Sequence, residues 1–153
     1  MKKILSRKLM PALLLCGFFV FALPAADPVP FSDITPAQAA ALIKAKSADP
    51  LFVILDVRTA KEFALNRIKG ARNIDIKAPA ARERIGKLDK NGTYLVYCRI
   101  GLRSARTMQG MKKMGFKRVF DLAGGLVRWQ QEKLPMEGAP LKAGPAAKQG
   151  SAK

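Results

Sequence analysis

The chain has 153 residues, 49% of them hydrophobic, with 28 Lys and Arg against 11 Asp and Glu and a formal net charge of +17. That length suits one domain with a core large enough to need no staples, and the charge predicts attraction to anions: small substrates, lipid headgroups or nucleic acid. With no histidine and only Cys16 and Cys98 as thiols, a structural zinc site has no ligand set, and acid–base catalysis by histidine is excluded. No metal or cofactor is expected. The first element in chain order is a targeting segment. Lys2, Lys3, Arg7 and Lys8 precede the uncharged run Pro11–Ala26, the pattern of a bacterial-type secretory signal peptide over residues 1–26. The alternative is an uncleaved anchor in the inner membrane, but the run is short of the roughly 20 apolar residues a spanning helix needs. Cys16 is a poor lipid acceptor, because the bulky Leu15 precedes it and the apolar run continues through Phe21. Cleavage near Ala26 removes four of the 28 basic residues and none of the 11 acidic ones, leaving a net charge of +13. The product is periplasmic or secreted, and Cys98 is its sole cysteine, so no intramolecular disulfide can form.

The domain is expected over residues 31–138. Asp27–Phe31 is a proline-punctuated entry. Thr35 and Pro36 open a helix as N-cap and first helical residue, with Ala39, Leu42 and Ile43 on its apolar face. Leu51–Val57 is a continuous apolar run, the mark of a strand buried on both faces. Ala60–Leu65 reads as a short helix, Ala71–Ile76 contains a short strand, and Ala78–Leu88 is helical. A turn at Lys90–Gly92 leads to a second buried strand, Thr93–Cys98. Arg103–Gly115 is a helix closed by Gly115. Lys117–Leu122 is a third buried strand, and Ala123–Gly125 turns into a last helix, Leu126–Lys133. The tail, residues 139–153, is rich in Ala, Gly, Pro and Lys and is expected to be disordered.

Strands alternating with helices predict an α/β fold of three layers, α/β/α, with a central, mainly parallel sheet. Ligands of such sheets lie outside the carboxyl ends of the strands, and Cys98 sits at that edge. The segment Tyr97–Ser104, YCRIGLRS, joins a strand end to a helix start. A turn this tight aims several backbone N–H groups at one point, and the helix adds its positive dipole end. Gly101 lets the chain curl, while Arg99 and Arg103 add positive charge. Each of these favours thiolate over thiol. The cradle therefore activates a nucleophile without a histidine base and holds an oxyanion or an anionic sulfur. The competing reading is a buried cysteine acting as a small hydrophobe between ordinary surface arginines.

Three blocks of the chain carry a resemblance. YCRIGLRS resembles the active-site loop of the rhodanese family of sulfurtransferases. The stretch LDVRTAKEFALNRIKGARNIDI (55–76) is similar to that family's Asp-Val-Arg segment, with its Glu-aromatic pair and Ile-x-Gly-Ala-x-Asn stretch. VFDLAGGLVRWQQEKLP (119–135) is similar to its closing Gly-Gly-x-x-x-Trp signature. The resemblance implies a single-domain rhodanese-like fold and a sulfurtransferase in which Cys98 carries sulfane sulfur as a persulfide. Small anionic donors such as thiosulfate would supply the sulfur, and cyanide, a thiol or an acceptor protein would take it. The loop from Cys98 to Arg103 has six residues. Related cell-cycle phosphatases have one more, to make room for phosphate, so the shorter loop argues for sulfur transfer. Where many members have Gly-His-Ile, this chain has Asn66, Arg67 and Ile68.

Around Cys98, the candidate substrate-binding residues are Arg99, Ile100, Gly101, Leu102 and Arg103. Ile100 and Leu102 give the mouth an apolar rim suited to a less polar donor or a partner protein. Asp56, Arg58 and Glu62 are the candidate supports: Asp56 or Glu62 would hold Arg103 in a bidentate pair, against the alternative of a helix cap or a surface ion pair. Trp129, Val127, Phe63, Met108, Met111 and Met114 are read as core, and Gly124 and Gly125 as a tight turn. Lys112, Lys113, Lys117 and Arg118 form a basic face that is solvated or touches anionic lipid. Nucleic-acid binding is not expected, because aromatics do not interleave with these cations. Two other function classes compete: a non-catalytic partner-binding module of the same fold, against which the presence of Cys98 weighs, and a cysteine phosphatase or arsenate reductase.

Overall fold

The structure, a computed structural model, describes residues 29–141. The expected signal segment and residues 142–153 of the expected disordered tail lie outside the described residues. The elements run in the order β1 (Ser32–Ile34), α1 (Pro36–Ala45), β2 (Phe52–Asp56), α2 (Ala60–Leu65), β3 (Asn66–Ile68), β4 (Arg72–Asn73), α3 (Ala81–Gly86), β5 (Thr93–Tyr97), α4 (Leu102–Lys113), β6 (Arg118–Leu122), α5 (Gly125–Gln131) and β7 (Met136–Gly138).

Five strands form one parallel sheet in the order β1-β6-β5-β2-β4. β5 is central, with Val96 opposite Leu55 of β2 on one side and Asp121 of β6 on the other. The apolar runs predicted for β2, β5 and β6 become these inner strands, because both their faces are covered. On one face Leu55, Val57, Tyr94, Val96 and Val119 pack with Ala81 and Ile85 of α3 and Met108 and Met111 of α4. On the other, Ile54, Leu95, Tyr97, Phe120 and Leu122 pack with Leu42 of α1 and Leu126 and Trp129 of α5. The architecture is thus the expected three layers around a parallel sheet.

The helix starts are locally encoded. Thr35 and Gln38 form a capping box with Pro36 behind the cap, and Thr59 and Glu62 form another at α2. Four features differ from the sequence reading. The proline-punctuated entry leads into β1, which pairs Ser32 with Phe120 and so covers the edge of β6. β3 and β7 form a separate antiparallel pair, with Asn66 opposite Gly138; three residues each are too few to show a period. The helix expected from Ala78 begins at Ala81, since Pro79 biases the residue before it away from the helical region. Finally, Ala139 and Leu141, placed by composition in the tail, donate backbone hydrogen bonds to the Leu65 carbonyl and the Gln130 side chain. No helix among the described residues is long and apolar enough to cross a membrane. Of the basic face, Lys112 lies over the Phe31 ring at 5.3 Å, and Arg118 donates to Thr93 and Asn91.

Candidate active site

Three loops meet at the carboxyl edge of the sheet: the turn after β2, the Cys98 loop after β5, and the turn after β6. Backbone hydrogen bonds tie them together. Val57 N–H donates to the Tyr97 carbonyl at 3.0 Å, and the first amides of α5, Leu126 and Val127, donate to the carbonyls of Cys98 and Arg99 at 2.9 and 3.0 Å. The start of α5 thus clamps the back of the thiol loop.

β5 ends at Tyr97, so Cys98 is the first loop residue rather than the last of the strand. Gly101 adopts φ 96 as N-cap of α4, which turns its own N–H back onto Cys98 Sγ at 3.2 Å. The Ser104 hydroxyl lies 3.5 Å from the same sulfur. Burial by itself pushes the Cys98 thiol up; the Ser104 hydroxyl and the amides of Ser104, Ile100 and Arg103 together outweigh it and hold the thiol below its ordinary value. The helix N-terminus acts in the same direction. Cys98 is also 1% exposed and packs against the core. Both sequence readings therefore hold in part: the residue is enclosed, yet its sulfur faces a ring of donors that no apolar packing needs.

Glu62 takes Arg103 in a fork, Oε1 accepting from Nη2 at 2.9 Å and Oε2 from Nη1 at 3.0 Å. Oε2 also accepts from the Thr59 amide at 3.0 Å, so the pairing and capping alternatives are realised by one carboxylate. Its hydrogen bond from Arg103, helped by Thr59 and opposed by burial, holds Glu62 down to about 2. The pair in turn raises Arg103, whose guanidinium also feels Cys98.

Asp56 does not reach for Arg103. It is taken by Arg58, whose Nη2 lies 2.6 Å from Oδ2, both side chains being fully buried. Arg58 also donates to Asn66 Oδ1 at 3.0 Å and lies 5.8 Å from the Tyr97 ring. Asp56 and Arg58 thus close on each other, on Asn66 and on the Tyr97 ring at the end of β5. Beside them Arg58, Glu62, Leu65, Asn66, Arg99 and residues 139–141 line a cleft of about 220 Å³. Ile100 and Leu102 stand at 49% and 66% exposure on the loop.

The sequence marks Asn66 and Arg67 only as a departure from Gly-His-Ile and gives Ser104 and Asp121 no role. Asn66 holds Arg58 on one side and donates to the Ala139 carbonyl at 3.0 Å on the other. Arg67, at the position of the departure from Gly-His-Ile, pairs with Glu137 at 2.9 Å and covers Phe63. Ser104 lies against the sulfur, and its hydroxyl also acts on Asp121 of β6. A charged residue inside an apolar strand was the available signal for Asp121.

A strand–thiol loop–helix unit at the carboxyl edge of a parallel sheet, with its arginine gripped by a carboxylate from the preceding strand–helix turn, defines a class of cysteine-loop α/β domains. The rhodanese-like domain model matches residues 35–132, and the chain belongs to that family. Over 82 residues it is 34% identical to the probable adenylyltransferase/sulfurtransferase MoeZ of Mycobacterium tuberculosis, a match that takes in 54% of this chain and 21% of MoeZ. Over 109 residues it is 31% identical to the thiosulfate sulfurtransferase GlpE of Actinobacillus succinogenes, covering 71% of this chain and 93% of GlpE. Among solved structures, the rhodanese-related protein of Thermoplasma volcanium superposes with a TM-score of 0.58 at 27% identity, over 69% of this chain and 96% of that one.

Proposed function

We propose that the protein is a sulfurtransferase that moves sulfane sulfur from a small anionic donor such as thiosulfate to cyanide or a thiol acceptor through a persulfide on Cys98. The carrying observation is the donor ring around Sγ, which lowers the thiol despite its burial. The Cys98 thiolate attacks the outer sulfur of thiosulfate. The donor's S–S bond breaks, sulfite leaves with the electron pair, and the new Sγ–S bond leaves a terminal anionic sulfur. The amides of the 100–104 turn, the dipole of α4 and Arg103 stabilise that anion. Cyanide or a thiolate then attacks the outer sulfur, the Sγ–S bond breaks, and the Cys98 thiolate returns. At 1% exposure, the sulfur suits slender reactants that enter at the loop mouth. The likeness to GlpE over nearly its whole length supports the thiosulfate reading. The six-residue span from Cys98 to Arg103 weighs against phosphate as substrate. We further read the basic-then-apolar segment 1–26 as an export signal, so that the site works in the periplasm or outside the cell, with a thiol acceptor, small or protein-borne, docking at the Ile100–Leu102 rim.

The test is intact mass after incubation with thiosulfate. A gain of one sulfur atom that cyanide removes, and that Cys98→Ser lacks, is expected; no adduct from any sulfane donor refutes the proposal. Turnover of an aryl phosphate lost in Cys98→Ser would favour a phosphatase instead.

A further inference from the structure

On the β6 side of Ser104 lies a carboxyl that the transfer chemistry does not use. Asp121 is 2% exposed, inside β6. Its Oδ1 has no hydrogen-bond partner among the described residues. The Ser104 hydroxyl acts on this carboxyl but donates elsewhere, to the Gly101 carbonyl at 3.0 Å, with Cys98 Sγ at 3.5 Å. A hydroxyl has one proton and two lone pairs, so which neighbour receives the Ser104 proton depends on what the carboxyl is doing.

We propose that Asp121 is a positioning residue for Cys98, acting through Ser104. In its protonated form the carboxyl donates to Ser104 Oγ and leaves the serine proton for the Cys98 thiolate. In its ionised form it draws the serine proton to itself and away from the sulfur.

The surroundings bring the titration of this carboxyl close to neutrality. From β1, Asp33 stands opposite Asp121; from β5, the register partner is the apolar Val96; from α4, Ser104 faces it, while Arg103 is turned to Glu62. Burial pushes Asp121 up to about 7, Asp33 adds to the rise, and Ser104 opposes it. A buried carboxylate with one bare oxygen is costly, whereas a carboxylic acid beside a hydroxyl is satisfied by one bond. Asp121 and Cys98 then titrate as a coupled pair. The inference rests on Cys98 being the reactive thiol, not on the identity of the sulfur donor.

The test reads thiol ionisation rather than sulfur transfer, so the two proposals fail separately. The rate of Cys98 alkylation by iodoacetamide is followed by peptide mass spectrometry from pH 5 to pH 10. The wild type should show two inflections, one near 7. Asp121→Asn should show one, at lower pH than the wild type's upper inflection. Ser104→Ala should also show one, and adding Asp121→Asn to it should change nothing further, the mark of coupling through the serine. A single wild-type inflection unmoved by Asp121→Asn, or an Asp121→Asn effect undiminished in the Ser104→Ala background, overturns the proposal. If the variants fold poorly, carbon NMR of the wild-type Asp121 carboxyl tests the same coupling: its titration must move when Cys98 is alkylated, and an unmoved titration refutes it.

Discussion

Replacing Gly125 with alanine tests how the loop is held. Gly125 opens α5 at φ 60, and an added Cβ would stand 2.6 Å from the Cys98 carbonyl oxygen and 2.7 and 2.8 Å from the carbonyl carbon and oxygen of Arg99. All three are backbone atoms, so no side chain can swing aside. The left-handed conformation alone costs an alanine about 1–2 kcal/mol. Relieving the overlap pushes α5 off the loop and weakens the bonds from Leu126 and Val127 to those same two carbonyls, each worth about 1 kcal/mol net. The sum is ~3–4 kcal/mol, or a fall in Tm of roughly 12–16 °C for a domain of about 100 residues. Gly110, in α4, serves as the internal control. Its Cβ would meet nothing within 4 Å, so Gly110→Ala should stabilise by about 0.5–1 kcal/mol through helix propensity. Urea unfolding of both variants gives the energies, and Cys98 alkylation at one pH reports the loop. Gly125→Ala should slow alkylation as well as destabilise; Gly110→Ala should leave alkylation unchanged. A Gly125→Ala protein within about 1 kcal/mol of wild type and equally reactive would refute the view that α5 clamps the thiol loop.

Other perturbations have definite signs. Because Asp121 lies higher in the folded chain than its ordinary 3.8, at about 7, its contribution is fully present below about pH 4 and is lost as pH rises through 7. Denaturation at a series of pH values should show that decline, with a ceiling of ~4 kcal/mol, and Asp121→Asn should flatten it. Glu62 runs the other way: held at about 2 against 4.5, it stabilises above pH 4.5 and loses that contribution as pH falls through 2. Glu62→Gln should remove the acid-side dependence, measurable in the same series. Asn66→Ala leaves the buried Arg58 guanidinium one acceptor short and the Ala139 carbonyl without its side-chain donor, which should cost about 2–3 kcal/mol in urea unfolding.

What could be read in advance divides along a physical line. The inner strands β2, β5 and β6 announce themselves because burial on both faces demands unbroken apolar runs. The cap at Thr35 is local chemistry written in adjacent residues; the equivalent box of Thr59 and Glu62 went unread although its spacing is the same. Cys98, Gly101 and Arg103 were legible because strand, turn and helix follow each other directly in the chain. Glu62 was placed only as one of two partners for Arg103, since choosing between it and Asp56 needs the distance between α2 and α4. Asp56 itself went to Arg58, a pairing two residues apart that the strand–turn geometry makes cheap. β1, β3 and β7 were missed because a strand of three residues exists through its partner rather than its own pattern. Asn66 could not be found for the same reason, as its role joins Arg58 to Ala139, 73 residues away.

The pairing of β3 with β7 makes the cleft depend on residues made long after the thiol loop. Gly138 and Ala139 must reach Leu65 and Asn66 before that wall stands. A nascent polypeptide, or one trimmed by a protease upstream of Met136, keeps every atom of the sulfur-bearing turn yet lacks the vestibule beside it. The thiol loop and the far wall of the neighbouring cleft are thereby encoded in separable stretches of the chain.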